Sequence, residues 1–316
     1  MNSVGRYTVA AMVSLVTLAD TWAAPLAYVP NEKSGTLSVI DTQTDQVLRE
    51  IKAGDKPRGL AVAPDGKLLY VSDQPNNNLV IVDLERGAAV DRIALGESPE
   101  GVSMSRDGRW VIAAVELSNA VVFIDSTTRK KEFSVKVQGK NPEHAVFSPD
   151  GKWVYVSAED AEQVDVIDVG KRRQVDAIPV GKRPRGIGFL PDGSRAYVAC
   201  EVASTIYVID TKTQKVLKAI KGREFSNGVA VRPDGKRVYV SNGRDASVSV
   251  IDTGSNEIVA TVPVGTRPWN MAITPDGKKL YVANGRSNSV SVIDTQSNTK
   301  LRDITVGTAP WGVVIR

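Results

Sequence analysis

The side chains with the clearest chemical capacity in this sequence occupy one position of a repeat, directly after a recurrent proline. A position that serves only the fold tends to keep one residue type, but this one carries indoles, carboxylates, guanidinium groups and an amide. We therefore expect these side chains to form a ring around a channel mouth and to bind a ligand or partner there. In order around the ring they are Trp311, Arg58, Glu100, Glu143, Arg185, Asn227 and Trp269. Asn227 is placed by spacing alone, because Ser226 stands where the other repeats have proline.

The order of residues in this ring suggests how it would bind. Two carboxylates, Glu100 and Glu143, are neighbours and have Arg58 and Arg185 on either side. Arginine can clamp a carboxylate or phosphate with paired hydrogen bonds, and neighbouring tryptophans are typical anchors of an interface. We predict that the two tryptophans anchor a ligand that the arginines orient. In the alternative interpretation, both indoles only plug the channel.

His144 is the single histidine of the chain and replaces a glycine that other repeats keep at Gly59, Gly101 and Gly186. Its position near the predicted mouth suits an acid/base group, a ligand or a pH-sensitive contact. The interpretation we favour is a hydrogen-bonded structural histidine. One histidine cannot build the multi-histidine sites of catalytic zinc, and the ring's two carboxylates alone are weak support for a cation site. The sequence therefore predicts no metal and no cofactor.

Charged loops extend the asymmetry of the ring. An acidic sector surrounds the two ring carboxylates, and a basic sector follows it along the chain. The alternative is solvated loop charge in which arginines pair with neighbouring carboxylates. The acidic sector consists of Glu97, Glu116, Glu159, Asp160 and Glu162, and the basic sector of Arg183, Arg223, Arg244, Arg267 and Arg286.

An aspartate that follows the third of four short β-type runs marks the repeat and recurs every 42 or 43 residues. Four strands at this period are typical of a β-propeller blade. Seven marks therefore predict an all-β, seven-bladed propeller of four-stranded antiparallel blades. The marks are Asp41, Asp83, Asp125, Asp168, Asp210, Asp252 and Asp294.

The two ends of the chain predict how the ring of blades closes. The first repeat begins at its second strand, Leu26 to Val29, and the missing first strand appears at the other end as Trp311 to Ile315. We expect the N- and C-terminal strands to pair in one blade, which leaves no sheet edge between the first and last blades.

Turns divide the propeller into two faces. Pro-Asp-Gly recurs between the first and second strands, and the marker aspartates suit Asx turns between the third and fourth. Both kinds of turn should emerge on one face, and the variable loops on the other. We expect function on the variable face.

Residues 1–23 do not belong to the repeat and are typical of a secretory signal peptide. Arg6 supplies a positive charge, Thr8 to Leu18 is an apolar run too short to span a bilayer, and Thr21-Trp22-Ala23 suits a cleavage site. We predict a single mature domain over residues 24–316, exported to the periplasm without membrane insertion. The net charge of +4 is modest, and the one cysteine, Cys200, cannot form an internal disulfide.

The repeat resembles the YVTN family of bacterial β-propellers. Its characteristic segments here are Tyr70-Val71-Ser72-Asp73 and Tyr239-Val240-Ser241-Asn242, together with the Pro-Asp-Gly turns. Within that family, Pro99-Glu100-Gly101 and Ala309 to Val313 are similar to the propeller associated with PQQ-dependent alcohol catabolism. This resemblance implies a periplasmic accessory or binding protein that serves a transport system or a quinoprotein dehydrogenase.

Three function classes follow. We predict a monomeric, non-enzymatic binding or accessory protein that takes a protein partner or a small anionic ligand at the variable face. The first alternative is an enzyme of lactonase or lyase type using His, Glu and Arg, although spacing identifies no nucleophile–base pair. The second alternative is a single-strand nucleic-acid-binding propeller, in which Trp269 and Trp311 stack on bases.

Overall fold

A computed structural model describes residues 25–316, and the predicted signal peptide, residues 1–23, lies outside these described residues. Seven four-stranded antiparallel sheets follow one another along the chain. We number them blades 1 to 7, with strands counted from the channel outward. Within residues 25–316 no helix is long and apolar enough to cross a membrane. The prediction of a seven-bladed all-β propeller is confirmed.

Blade 1 contains both ends of the described chain. Its second to fourth strands are β1 (Leu26–Asn31), β2 (Thr36–Asp41) and β3 (Gln46–Lys52). Its first strand is β28 (Val314–Ile315), which pairs antiparallel with β1.

Blades 2 to 7 are continuous in the chain, and each contributes four strands in sequence order. Blades 2 to 4 consist of β4 (Pro57–Val62), β5 (Leu68–Asp73), β6 (Asn78–Asp83), β7 (Ala88–Ala94), β8 (Pro99–Met104), β9 (Trp110–Val115), β10 (Ala120–Asp125), β11 (Lys130–Lys136), β12 (Pro142–Phe147), β13 (Trp153–Ala158), β14 (Gln163–Asp168) and β15 (Arg173–Pro179). Blades 5 to 7 consist of β16 (Pro184–Phe189), β17 (Arg195–Cys200), β18 (Thr205–Asp210), β19 (Lys215–Lys221), β20 (Ser226–Val231), β21 (Arg237–Asn242), β22 (Ser247–Asp252), β23 (Glu257–Pro263), β24 (Pro268–Ile273), β25 (Lys279–Asn284), β26 (Ser289–Asp294) and β27 (Thr299–Thr305). A short 3-10 helix, Gln74–Asn76, lies between β5 and β6.

The ring closes where the sequence predicts, but through a shorter strand than Trp311 to Ile315. Only Ala27↔Ile315 and Tyr28↔Val314 form ladder pairs, with an isolated bridge between Asn31 and Pro310. The intervening backbone turns so that the Trp311 ring enters the channel, while its N–H still donates to Pro30 O at 2.9 Å.

Both predicted turn types are present on one face. Asp41 Oδ1 accepts hydrogen bonds from the N–H groups of Gln43 (2.7 Å) and Thr44 (2.9 Å), which is an Asx turn. Gly277 of a Pro-Asp-Gly turn has φ of 74°, a left-handed conformation that glycine adopts without cost. The two turn types also contact each other: Thr253 Oγ1 donates to Gly235 O at 2.7 Å.

The core lies between neighbouring blades. Tyr281 of blade 7 is fully buried against Ala27 and Val29 of blade 1, and its hydroxyl donates to the Asp45 carboxylate. Tyr197 of blade 5 likewise donates to Asn256 Oδ1 of blade 6 at 2.6 Å. Tyr197 and Tyr281 therefore each join their blade to the next, combining apolar burial with a satisfied hydroxyl.

Candidate functional site

A polar cavity of about 270 Å³ lies at the channel mouth on the variable face. It is built from the starts of first strands, the loops between second and third strands, and the loops that enter each blade. All eight predicted site residues line it, so the structure brings them together as the ring position predicts. The lining residues are Arg58, Gln74, Glu100, Glu116, Glu143, His144, Glu159, Arg183, Arg185, Asn227, Arg267, Trp269, Asn270 and Trp311.

Close contact between neighbouring first strands fixes these side chains in place. A Cβ atom added at Gly59 would lie 2.3 Å from the backbone oxygen of Glu100, so glycine is required where the strands touch. Ser72 Oγ accepts from the Gly59 N–H at 2.9 Å and donates to Glu100 O at 2.6 Å. The inner backbone of blade 3 is thereby bound to blade 2, and the ring residues project into a rigid mouth.

The floor of the cavity is formed by side chains that meet across the channel. The rings of His144 (blade 4) and Trp311 (blade 1) stack with centroids 5.4 Å apart. His144 Nε2 and Asn270 Nδ2 lie 3.3 Å apart, and Asn270 is the second residue that replaces the inner-strand glycine. Burial lowers the pKa of His144 to about 4, although Glu143 opposes this effect, so the imidazole is neutral at neutral pH. This geometry agrees with the structural-histidine interpretation.

Glu100 forms one wall of the cavity together with Arg58. Its side chain is 1 % exposed, and its Oε1 accepts from Arg58 Nη1 at 2.5 Å and from Gln74 Nε2 at 2.8 Å. Its Oε2 has no hydrogen-bond partner among the described residues. Burial and then the Glu143 charge raise the pKa of Glu100 to about 8, against the opposing effect of Arg58. A buried carboxylate oxygen is therefore available at the cavity.

Arg185 forms the adjoining wall and contacts three carboxylates. It pairs with Glu143, with Glu159 at 3.3 Å and with Glu201 at 3.2 Å. Burial acts to raise the pKa of Glu143. The positive charges of Arg185 and Arg58 contribute to a larger opposite effect, so the pKa of Glu143 lies below its ordinary value. Burial raises the pKa of Glu159 to about 7 despite Arg185. The structure thus places both predicted ring arginines in ion pairs with the ring carboxylates.

The structure adds Glu201, which the sequence analysis missed. Its carboxylate is fully buried and accepts from Arg267 Nη2 at 2.6 Å, and Arg183 Nε lies 3.3 Å away. Glu201 therefore binds three arginines of two blades, because Arg185 is its third partner.

A signal for Glu201 exists in the sequence. The residue after each second strand forms another ring at the mouth, which is acidic or amide on five blades and glycine on two. At one glycine, Gly285, an added Cβ would lie 2.8 Å from the Trp269 ring, so this glycine leaves the space that the indole fills. In blade order this second ring is Glu32, Gln74, Glu116, Glu159, Glu201, Gly243 and Gly285.

The predicted charged sectors separate into cavity residues and surface residues. Glu116, Glu159, Arg183 and Arg267 line the cavity. Arg223 instead pairs with Asp245 at 2.5 Å, and the Arg244 guanidinium lies 4.5 Å from the centre of the Phe225 ring. The remaining members do not line the cavity: Glu97, Asp160, Glu162 and Arg286.

Cys200 ends the second strand of blade 5, directly before Glu201, and is buried. Burial raises the pKa of its thiol to about 12. The thiol is therefore protonated and unreactive in the folded protein.

Carboxylate oxygens also gather on the acidic side of the mouth. Glu116, Glu143 and Glu159 each have an oxygen within 4.8 Å of the others, and Glu143 is buried. Oxygen ligands in this arrangement suit a hard divalent cation.

Two family models match parts of the chain. The model "Lactonase, 7-bladed beta-propeller" matches residues 168–309, and the model "Cytochrome D1 heme domain" matches residues 23–142. Each match covers less than half of the 316 residues. The lactonase match includes three arginines of the cavity and Glu201. No curated protein matches the chain.

Solved structures with similar folds cover almost the whole chain. Hydrazine synthase of Kuenenia stuttgartiensis is 24 % identical over 90 % of this chain and 99 % of that one, with a TM-score of 0.79. Periplasmic gluconolactonase of Pseudomonas aeruginosa is 21 % identical over 92 % and 98 %, with a TM-score of 0.78. Dihydro-heme d1 dehydrogenase, solved in complex with DHE, is 18 % identical over 95 % and 78 %, with a TM-score of 0.69. At these identities the likeness establishes the propeller fold.

The described residues do not fit a haem. A cavity of about 270 Å³ is smaller than the roughly 300–1,000 Å³ of sites for drug-sized ligands. Nε2 of the single histidine lies 3.3 Å from Asn270 Nδ2, its ring stacks on Trp311, and its Nδ1 is buried without a hydrogen-bond partner among the described residues, so no ring nitrogen is open to a ligand in the cavity.

The prediction of a non-enzymatic binding or accessory protein is wrong. The match of residues 168–309 to the lactonase family model favours the enzyme alternative. Spacing within one repeat showed no nucleophile–base pair. The physical reason is that Glu100 and the arginines Arg185 and Arg267 come from different blades and share a cavity only when the ring closes.

Proposed function

We propose that this protein is an enzyme that hydrolyses a small, neutral, polyhydroxylated lactone in the channel-mouth cavity. The observation that carries the proposal is the partnerless Oε2 of the buried Glu100, which shares a cavity with the arginines of blades 5 and 7. The lactonase-family match over residues 168–309 supports it.

The cavity lining indicates the class of substrate. Carboxylates accept hydrogen bonds from hydroxyl groups and guanidinium groups donate to them, while Trp269 and Trp311 offer apolar ring faces to a sugar ring. A neutral substrate fits better than an anionic one, because each cavity arginine already contacts at least one carboxylate. The volume of about 270 Å³ suits a single ring.

Hydrolysis of a lactone needs a base that takes a proton from the attacking water and a hydrogen-bond donor that stabilises the oxyanion. Because the pKa of Glu100 is raised to about 8, the ionised form that can act as a base becomes more abundant as the pH rises towards 8. In that form Glu100 Oε2 accepts a proton from water as the water oxygen bonds to the lactone carbonyl carbon. Arg267 comes from blade 7, opposite blade 3, and among the described residues only its Nη2 has an acceptor. Its remaining N–H groups stabilise the carbonyl oxygen as it becomes negative. The ring C–O bond then breaks, and the proton held by Glu100 passes to the departing alkoxide, which leaves a hydroxy acid.

We further propose that the enzyme acts in the periplasm. The predicted signal peptide supports this location, as does the resemblance to YVTN propellers of PQQ-dependent alcohol catabolism. Oxidation of a cyclic hemiacetal produces a lactone, so a lactone-opening enzyme beside a periplasmic dehydrogenase would consume its product. Expression with the native leader, followed by mass spectrometry of the periplasmic fraction, tests for a mature chain that begins near residue 24.

The activity is tested by pH-stat titration of acid released from neutral sugar lactones, with glucono-1,5-lactone as the first probe. We expect turnover above the spontaneous rate, and a fall in kcat/KM of about 100-fold or more in Glu100→Gln. Arg267→Lys keeps the charge but loses the planar fork, and should lower kcat more than it changes KM. The matched control is Glu162→Gln, an exposed carboxylate outside the cavity. Absence of turnover across the lactone panel by the folded wild type would overturn the proposal.

A further inference from the structure

The wider ion-pair network at the channel mouth, including residues behind the cavity wall, has six carboxylates and five cations. Four guanidinium groups and the Lys56 ammonium group contact five of these six carboxylates. The sixth, Glu116, forms no ion pair within residues 25–316, and its one polar contact is Ser98 Oγ, which donates to its Oε2 at 2.8 Å. The paired carboxylates are Glu32, Glu100, Glu143, Glu159 and Glu201.

This surplus carboxylate lies in the cluster with the geometry of a cation site. Oxygens of Glu116, Glu143 and Glu159 lie within 4.8 Å of one another. Oxygens bound to one Ca²⁺ at about 2.3–2.6 Å can be separated by up to about 5 Å. Arg185 engages Oε1 of both Glu143 and Glu159, so the second oxygen of each remains for an ion.

A second, independent observation points to a ligand at the same place. Glu100 is 1 % exposed and is not a member of the three-carboxylate cluster, yet its Oε2 has no partner among the described residues. Burying an oxygen of this kind costs free energy of folding unless a hydrogen-bond donor or a cation binds it. Gln74 Nε2 donates to Glu100 Oε1 at 2.8 Å and to Ser98 Oγ at 3.0 Å, and Ser98 Oγ donates in turn to Glu116 Oε2. This chain of hydrogen bonds and the shared cavity place the Glu100 carboxylate beside the cluster.

We propose that Glu116, Glu143 and Glu159 bind one Ca²⁺ ion, and that a water on this ion donates a hydrogen bond to Glu100 Oε2. Three oxygen donors without histidine or cysteine favour a hard cation over zinc. Calcium accepts irregular, partly shared carboxylates, whereas magnesium demands near-ideal octahedral geometry. The ion supplies the positive charge that the network lacks. It also binds the carboxylate oxygens of the cluster that no arginine contacts.

The position of the ion also suggests a role in the reaction. A cation lowers the pKa of the water that it binds, and Glu100 would receive that proton. This link to catalysis rests on the proposed function, whereas the binding of the ion does not.

Binding is measured by isothermal titration of CaCl2 into the full mature chain after dialysis against chelator. We expect one ion per chain with a Kd of about 10⁻⁴–10⁻³ M or tighter, and weaker binding of Mg²⁺. Glu116→Gln removes the ligand that holds no arginine, so it should weaken Ca²⁺ binding by about tenfold or more. The melting temperature without Ca²⁺ should stay within a few degrees of the wild type, because no ion pair is lost.

The control is again Glu162→Gln, which should bind Ca²⁺ like the wild type. Wild-type chain that gives no heat and no Ca²⁺-dependent rise in melting temperature at 10 mM CaCl2 would overturn the site. An equal loss of binding in both variants would also overturn it. Ca²⁺ binding without lactone turnover would support the calcium site and reject the proposed function. Lactone turnover that chelator leaves unchanged, in a chain that does not bind Ca²⁺, would support the proposed function and reject the calcium site.

Discussion

The face with the Pro-Asp-Gly turns and the face with the channel mouth are built by the same seven blades, but their polar groups are satisfied over different distances. On the turn face, Asp294 Oδ1 accepts from the N–H groups of Gln296 and Ser297, two and three residues away. At the mouth, Glu201 pairs with Arg267, which is 66 residues away in another blade.

This difference explains why one face repeats and the other does not. A local turn can recur in all seven blades because each copy forms its hydrogen bonds within its own few residues. A network between blades needs complementary charges on neighbours, so its members must differ. Loss of a mouth residue should therefore disturb several blades, and loss of a turn residue only one.

The largest effect should come from breaking the ring that both faces share. Deletion of residues 311–316 removes β28 and the buried side chains of Trp311 and Val313. We expect a loss of at least about 5 kcal/mol in the free energy of unfolding, from lost apolar burial and an unpaired edge on β1. Thermal unfolding followed by circular dichroism measures it, with Arg316→Ala, which keeps the two backbone hydrogen bonds to Leu26, as the control. A truncated chain that melts within two degrees of the full chain would contradict the closure.

Glu201→Gln tests the charge network of the mouth. The variant leaves three buried or half-buried arginines without a shared counter-charge, and we expect a loss of about 3 kcal/mol or more. The matched variant on the turn face is Asp234→Asn, whose carboxylate pairs with Arg232 at 2.6 Å but is largely exposed. Its cost should stay within about 1 kcal/mol. Urea unfolding of both variants checks the comparison, and equal costs would show that the two faces do not differ in this respect.

Glycine is needed for different reasons at two positions of the chain: Gly285 leaves space for a side chain, and Gly151 has a left-handed backbone conformation. In Gly285→Ala the added Cβ would lie 2.8 Å from the Trp269 ring, so the indole must move, at a cost of about 1–3 kcal/mol. In Gly151→Ala nothing lies within 4 Å, but φ is 71°, which costs about 1 kcal/mol. Only the first variant should change the tryptophan fluorescence of the folded protein. A fluorescence change in Gly151→Ala alone would reverse this assignment.

The smallest effect should follow from removing one Asx turn. Asp294→Ala loses three exposed hydrogen bonds and should cost about 1 kcal/mol at pH 7, whereas Asp294→Asn keeps an acceptor oxygen and should cost less. Hydrogen bonds from the Ser297 backbone, and then its side chain, lower the pKa of Asp294. The charge therefore stabilises the fold above the ordinary aspartate pKa, and this contribution is lost as pH falls through the folded-state value.

Melting curves between pH 2 and pH 7 test that sign. The stability difference between the wild type and Asp294→Asn should shrink as the pH falls below about 4. A difference that grows towards low pH would contradict the Asx assignment.

Most of the fold could be predicted from the sequence because its determinants are local. Pro-Asp-Gly and the marker aspartates form turns within a few residues, and alternating apolar runs form strands between them. The ring position after the inner proline also placed seven predicted residues at one cavity, and the next position added His144, since a repeat converts sequence position into spatial position. The full first strand from Trp311 was not found, because the indole turns into the channel and interrupts the ladder.

Tertiary structure alone decided which of these groups meet. The sequence by itself determined seven blades, their closure and the face that carries the variable residues. It did not determine that His144 stacks on Trp311 from the opposite side of the channel, that Glu201 gathers three arginines, or that Glu116 is left without one. These contacts depend on side-chain directions across a closed ring. Glu201 meets Arg267 from 66 residues away in the chain, and His144 stacks on Trp311 from a blade on the other side of the channel. No local pattern encodes these approaches.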